Sequence, residues 1–273
     1  MDLEKKDWAI IILAVLAVAS IAGNGVLLLL PGATERPDLG VVLVFGTMSG
    51  PPDLDPMDAW DSAASDVADQ VCEPLFNYNL TDPNLAITPA LAADFGQWIE
   101  TGPLPVYQVP LRDDVWFHDG TKFDAEAAVW NFERYANLME THQAKASELY
   151  EYYDPDAVAN ITTGELGVFI PIINSTAAHD DYVLNITCNV KYGPLEAILS
   201  FNAMMMLSPA STPFDAPIDT ATGDLVGTGP FVYDGYEAGV EVRFHANDYY
   251  YKPRAKIDTL IFSIINDAQI RNN

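Results

Sequence analysis

VWFHDGTKFDAEAAVWNFER, Val115 to Arg134, sets a strand end, a tight turn and a helix start side by side. Val115, Trp116 and Phe117 are β-formers. Asp119-Gly120 is a turn dipeptide, because Gly takes φ > 0 without a steric penalty. Asp124 is a good helix N-cap, and Glu126 falls in the first turn, where the macrodipole favours an anion. Ala128, Phe132 and Tyr135 follow at near-helical spacing, with Val129 alongside, and form one apolar face. The pattern predicts a helix from about Ala125 to Met139. His118-Asp119 is read as shaping the turn, since no catalytic motif surrounds it.

Outward from this unit, helices and strands are mixed. Val41–Thr47 is a nearly continuous apolar run, suited to a buried strand. A Pro/Asp loop follows to Pro56, and Ala59–Val71 is helical in pattern. Tyr107–Phe117 reads as one or two strands broken by Arg112-Asp113-Asp114. Gln143–Tyr153 is a second candidate helix. Leu166–Asn174 and Asp181–Val190 read as paired strands, the latter alternating through Tyr182, Leu184, Ile186, Cys188 and Val190. Pro194 suits the first turn of a helix to about Phe201. Phe231–Tyr236, Val240–His245 and Thr259–Ile265 read as strands. Such a mixture predicts an α/β or α+β domain.

The N-terminal stretch Trp8–Leu30 carries no charge and would span roughly 34 Å as a helix, enough for a bilayer core. Lys5 and Lys6 precede it, so the remainder of the chain is expected to face outward. A cleavable signal ending near Ala17-Val18-Ala19 is the rival reading. The anchor is preferred because Val26–Leu30 continues the apolar run. Residues 1–30 are thus expected to form a membrane anchor or signal segment, 31–40 a short polar tether, and 41–273 the folded domain.

The formal net charge is −26 and the pI about 4.1. A surface this acidic repels phosphate backbones, which argues against nucleic acid as a partner. Asp53, Asp55, Asp58, Asp61, Asp66 and Asp69 form an acidic series. It lacks the glycine and terminal Glu that a calcium loop requires, so the residues read as turns, caps and a solvated helix face. The chain contains no HExxH, GxSxG or P-loop, and no metal-ligand spacing. No catalytic residue, metal or cofactor is therefore expected. Met204-Met205-Met206 reads as core, and Tyr249–Tyr251 as structural packing. Cys72 and Cys188 are the only cysteines. A disulfide and two separate buried thiols both fit their contexts. Asn79, Asn160, Asn174 and Asn185 head N-glycosylation sequons, and modification of some of them is expected on an outward-facing domain.

Six segments in one order carry a family resemblance. They are GPPDLDPMDAW (Gly50–Trp60), CEPLFNYN (Cys72–Asn79), ITPALAADF (Ile87–Phe95), VPLRDDVWFHDG (Val109–Gly120), GTGPFVYDGY (Gly227–Tyr236) and HANDYYYKPRAKIDTLIFSII (His245–Ile265). Together they resemble the extracytoplasmic solute-binding proteins of ABC importers, the peptide/nickel family 5. The resemblance implies a periplasmic-binding-protein-like clamshell of class C type, of which this chain holds the first lobe only. It implies a substrate-binding component that captures oligopeptides, nickel or related small solutes outside the membrane and delivers them to an ABC permease. The loop after the first strand, Thr47, Met48, Ser49 and Gly50, would lie at the ligand cleft. Asn273 comes only eight residues after Ile265, where the family continues into a second lobe. A fragment or a separately encoded second part is therefore expected, with apolar surface left exposed where the other portions pack. A non-transport surface or sensor module is the alternative, and a secreted hydrolase ranks below it.

Overall fold

The computed structural model describes residues 40–100, 102–142, 151–160 and 165–267. The expected membrane segment Trp8–Leu30, the Ala17-Val18-Ala19 cleavage site and the tether up to residue 39 lie outside them. Among the described residues, no helix is long and apolar enough to cross a membrane.

Strand β1 (Val42–Thr47) opens the fold and is followed by helix α1 (Ser62–Val71). The helix starts at Ser62 because Asp61 caps it, its carboxylate accepting from Ala63 N at 2.9 Å and Ala64 N at 3.0 Å. Short strands β2 (Phe76–Tyr78) and β3 (Ile87–Pro89) pair with each other, and β4 (Gln97–Ile99) and β5 (Val106–Pro110) follow. Helix α2 (Ala125–His142) is the predicted signature helix. Asp124 caps it through Ala127 N at 2.9 Å. A hairpin, β6 (Glu151–Asn160) and β7 (Glu165–Pro171), precedes β8 (Ile173–Asp180) and β9 (Val183–Cys188). The short helix α3 (Leu195–Ile198) leads to a 3-10 turn at Asn202–Met204. Strands β10 (Phe231–Glu237), β11 (Glu241–Ala246) and β12 (Thr259–Ile264) complete the order.

Two four-stranded sheets organise two apolar cores. The sheet β4-β5-β9-β8 carries α2 against it. Phe123, Ala128, Phe132, Tyr135 and Leu138 pack there with Val109, Leu184 and Ile186. The sheet β1-β12-β11-β10 packs Phe231, Val242, Phe244, Leu260 and Phe262 against Val67, Ala68 and Val71 of α1. In the second sheet β1 runs parallel to β12, which is antiparallel to β11, which is antiparallel to β10.

The join between the cores is ionic. Arg134 on α2 and Asp55 in the loop after β1 are fully buried and meet at 2.5 Å. The guanidinium also donates to Pro213 O at 2.7 Å and Ala216 O at 3.0 Å. Asp55 accepts from Met57 N and Ile218 N, each at 3.0 Å. Asn131, one turn earlier, is buried and bonds the Leu207 backbone in both directions at 2.9 Å.

Several sequence expectations are corrected here. Strand β1 is not buried: Val42, Leu43, Val44 and Phe45 are 40 to 59% exposed. Among the described residues it lies at the sheet edge, paired with β12 alone, and side chains on both of its faces are exposed. Leu166–Pro171 does not pair with the 181–190 segment; it pairs with β6, while β9 takes β8 and β5 as neighbours. Tyr153 falls in β6 rather than in a helix, and residues 143–150 of that expected helix lie outside the described residues. Helix α3 stops at Ile198 instead of Phe201. Asp55 is no solvated turn residue. Cys72 and Cys188 are separate, buried, free thiols. Met204–Met206 are core, as expected.

Replacing Arg134 with Met leaves the Asp55 carboxylate buried without its partner. A loss of about 3–5 kcal/mol is expected for Arg134→Met. Urea unfolding of the variant beside the wild type checks it, and an unchanged midpoint would contradict the central role given to the pair.

Candidate functional site

The strand directions place three carboxyl ends on one edge of the β1-β12-β11-β10 sheet. β10 and β12 run the same way because each is antiparallel to β11, and β1 is parallel to β12. Thr47, Glu237 and Ile264 therefore end on the same side. Ile265 N donates to Thr47 O at 2.8 Å, and Ile264 N to Val240 O at 2.8 Å. The Thr47 hydroxyl reaches Ser263 O at 3.5 Å. Beyond it, Met48 is 68% exposed and Ser49 is exposed. Gly50 lies against the Tyr236 ring and hydroxyl so closely that no Cβ fits without displacing them. Among the described residues, no main-chain hydrogen bond engages Met48, Ser49 or Gly50. The four sequence-predicted residues thus form one continuous, largely uncovered rim. Tyr236 joins them, a residue that sequence reasoning noted only as part of a motif.

The other end of this sheet, where the chain enters β10 and leaves β11, is fixed by Glu73, just after α1. Its buried carboxylate accepts from Thr228 Oγ1 at 3.2 Å, Tyr250 OH at 2.8 Å, Tyr251 OH at 3.0 Å and Lys252 Nζ at 3.0 Å. Burial, and then the neighbouring Glu73 charge, push both tyrosine hydroxyls well above their usual range. They remain neutral donors. Tyr249 departs from the packing expected of the tyrosine run, being 88% exposed.

At that same end of the sheet, two sequence motifs meet. His118 N donates to Gly227 O at 2.9 Å, and its Nε2 lies 3.0 Å from Gly229 O. A carbonyl only accepts, so Nε2 carries the proton. Nδ1 has no partner among the described residues. Burial pulls the ring pKa down, so His118 is neutral. Gly229 is required by close approach: a Cβ there would stand 2.7 Å from the Val71 carbonyl carbon. Asp119 shapes the turn as expected, accepting from Thr121 N at 2.9 Å, and it also ties the turn to Ser208 and Ser211.

The sequon asparagines occupy different settings. Asn79 binds its own Thr81 through N and Oγ1. Asn174 is exposed on β8, with its amide 3.2 Å from Asn189 Oδ1. Asn185 sits half-buried on β9, between β5 and β8, and accepts from Gln108 at 2.9 Å. Asn160 ends β6. No group of three metal-ligating side chains occurs among the described residues.

This architecture is that of a known class. A crystal structure of an ABC transporter substrate-binding protein from Sinorhizobium meliloti matches with a TM-score of 0.63 at 27% identity, over 84% of this chain and 40% of that one. The fold is thus mixed α/β and periplasmic-binding-protein-like. The model of the bacterial extracellular solute-binding proteins, family 5 Middle, matches residues 86–273, and the chain belongs to that family. Similar curated proteins are the dipeptide-binding protein of Escherichia coli K12, 26% identical over 210 residues, and di/tripeptide-binding protein 4 of Pseudomonas aeruginosa, 28% identical over 218. The matches cover 72% and 75% of this chain but only 36% and 38% of those proteins.

Asp119 supplies a pH test of the motif junction. Partial burial pushes its carboxyl up, but hydrogen bonds from Ser208, Ser211 and Thr121 outweigh that and hold it at about 2, below the ordinary 3.8. A depressed carboxyl stabilises the fold above its unfolded pKa, and that gain disappears as pH falls through the folded one. Asp119→Asn is expected to lower the melting temperature at pH 7, with the gap to wild type closing between pH 4 and pH 2. A constant gap across that window would contradict the assignment.

Proposed function

We propose that this chain forms part of the substrate-binding component of an ABC importer. In this reading it takes oligopeptides, or related small solutes, outside the membrane for delivery to permease subunits. Trp8–Leu30 anchors it, with the domain facing outward. Glycan attachment at Asn79 or Asn174 belongs to the same reading. The role is binding, without chemistry of its own.

The observation that carries the proposal is the main chain of Met48–Gly50 at the carboxyl edge of the sheet, unengaged among the described residues. Ligands of open α/β sheets bind beyond the carboxyl ends of the strands. An extended peptide is held largely through its own main chain, so free N–H and C=O groups on the protein give affinity without dictating side-chain sequence. Met48 adds a long, adaptable apolar side chain beside them. The rim is open, and a cleft that buries most of a ligand needs a second wall. The greater length of the curated relatives is consistent with that wall lying in further polypeptide.

The test is retention of peptides from a di- and tripeptide pool by the purified protein, read by mass spectrometry, with titration calorimetry on the retained species. Saturable binding is expected. Gly50→Val, which forces Tyr236 aside, is expected to weaken it on the order of tenfold, an overpacking cost of about 1–3 kcal/mol being enough. If no peptide is retained, or if Gly50→Val binds as the wild type does, the rim is not the site.

A further inference from the structure

A cavity of about 650 Å³ lies at the other edge of the same sheet. It opens between the turn at residues 116–120 and the segment that leaves β11, at the start of β10 and the end of β11. The rim at Thr47–Gly50 occupies the carboxyl ends of β1, β10 and β12, so the two sites are separated by the length of the sheet. The volume suits a small molecule.

Its lining has a definite chemistry. Trp116 is 48% exposed and Tyr249 is 88% exposed, two large aromatic surfaces left in contact with solvent. Their placement is built in. Gly229 O accepts from His118 Nε2 and from Asn247 Nδ2, each at 3.0 Å. Asn247 Oδ1 in turn accepts from Tyr249 N at 2.9 Å. One carbonyl therefore fixes both the turn that follows Trp116 and the turn that displays Tyr249. Lys122 Nζ stands 4.6 Å from the Trp116 centroid, so that ring is within cation–π distance of one ammonium, whose charge offsets part of the acidic field. Carboxylates outnumber cations around the cavity: Asp119 is held ionised, Asp248 lines it with Arg254 paired to it at 2.5 Å, and Asp234 lies 2.6 Å from His245. His245 lines the cavity as well.

We propose that this cavity is a second binding site, for a small aromatic cation. The aromatic part enters the cavity beside Trp116 and Tyr249, both of which line it. The positive charge is drawn by the carboxylates around the mouth and by the aromatic faces. An anion of the same shape meets that field with the wrong sign. The site goes beyond the proposed peptide rim and does not depend on it.

Tryptamine, indole-3-acetate and butylamine separate the contributions, titrated calorimetrically and by NMR against the full chain. Tryptamine is expected to saturate, shifting the Trp116 indole N–H resonance. Indole-3-acetate, with the ring but a negative charge, and butylamine, with the charge but no ring, are each expected to bind about 10-fold more weakly. Tyr249→Ala removes a side chain that is almost wholly in solvent, so the fold is retained, and is expected to weaken tryptamine about 5-fold. Unchanged affinity in Tyr249→Ala, equal binding of all three probes, or no saturable tryptamine binding would overturn the proposal. So would shifts confined to Thr47–Gly50, or displacement of tryptamine by a dipeptide, since either puts the probe in the rim.

Discussion

The ion pair between Arg134 and Asp55 is the constraint on which the arrangement depends. A guanidinium with no solvent exposure needs an acceptor for each of its donors, and here they come from two separated stretches of chain. Asp55 supplies the charge, and Pro213 and Ala216 supply carbonyls. Asp55 is completed in turn by Met57 N and Ile218 N. Met57 belongs to the core under α2, while Leu54 and Ile218 belong to the core under α1. The pair therefore stands where the two cores abut. Such a pair adds little net stability over an apolar substitute, because both charges lose their water. Its effect is positional, since any other register of these two stretches against α2 leaves a charge buried and unpaired.

Glu73 performs a related task nearer the sheet. It follows α1 directly and gathers Thr228, Tyr250, Tyr251 and Lys252 around one carboxylate. The segments before β10 and after β11 are thereby held to the end of α1. Gly229 lets that approach happen, since its N donates to Val71 O at 2.8 Å where a side chain has no room. The two edges of the sheet then acquire different characters. One ends in loops with unengaged main chain, suited to an extended backbone. The other ends in aromatic rings and carboxylates, suited to a flat cation.

Much of this was legible locally. The α2 N-cap, its first-turn acid and its apolar face all read correctly from Val115–Arg134. Strands β10, β11 and β12 fell within a residue or so of their expected limits. The ionic join was missed, although a signal existed. Ala127, Asn131, Arg134 and Leu138 repeat at helical spacing on α2, and all four are buried. An Asn and an Arg on an apolar stripe demand partners across the core. The burial of β1 was misjudged because an apolar run reports what a strand is able to bury, not whether another element covers it.

What the sequence by itself determined are the features set within a few residues: caps, tight turns, apolar faces and the ordered motifs that mark the family. Turn chemistry and side-chain periodicity act over that range, and they need no knowledge of the rest of the chain. Tertiary structure alone decided which strands are neighbours and which charges pair. Val41 N meets Asp258 across 217 residues, and Arg134 meets Asp55 across 79. It also decided that Thr47–Gly50 ends at an open edge beside Tyr236. Contacts of that kind depend on where the chain returns after closing long loops, and no local pattern carries that information.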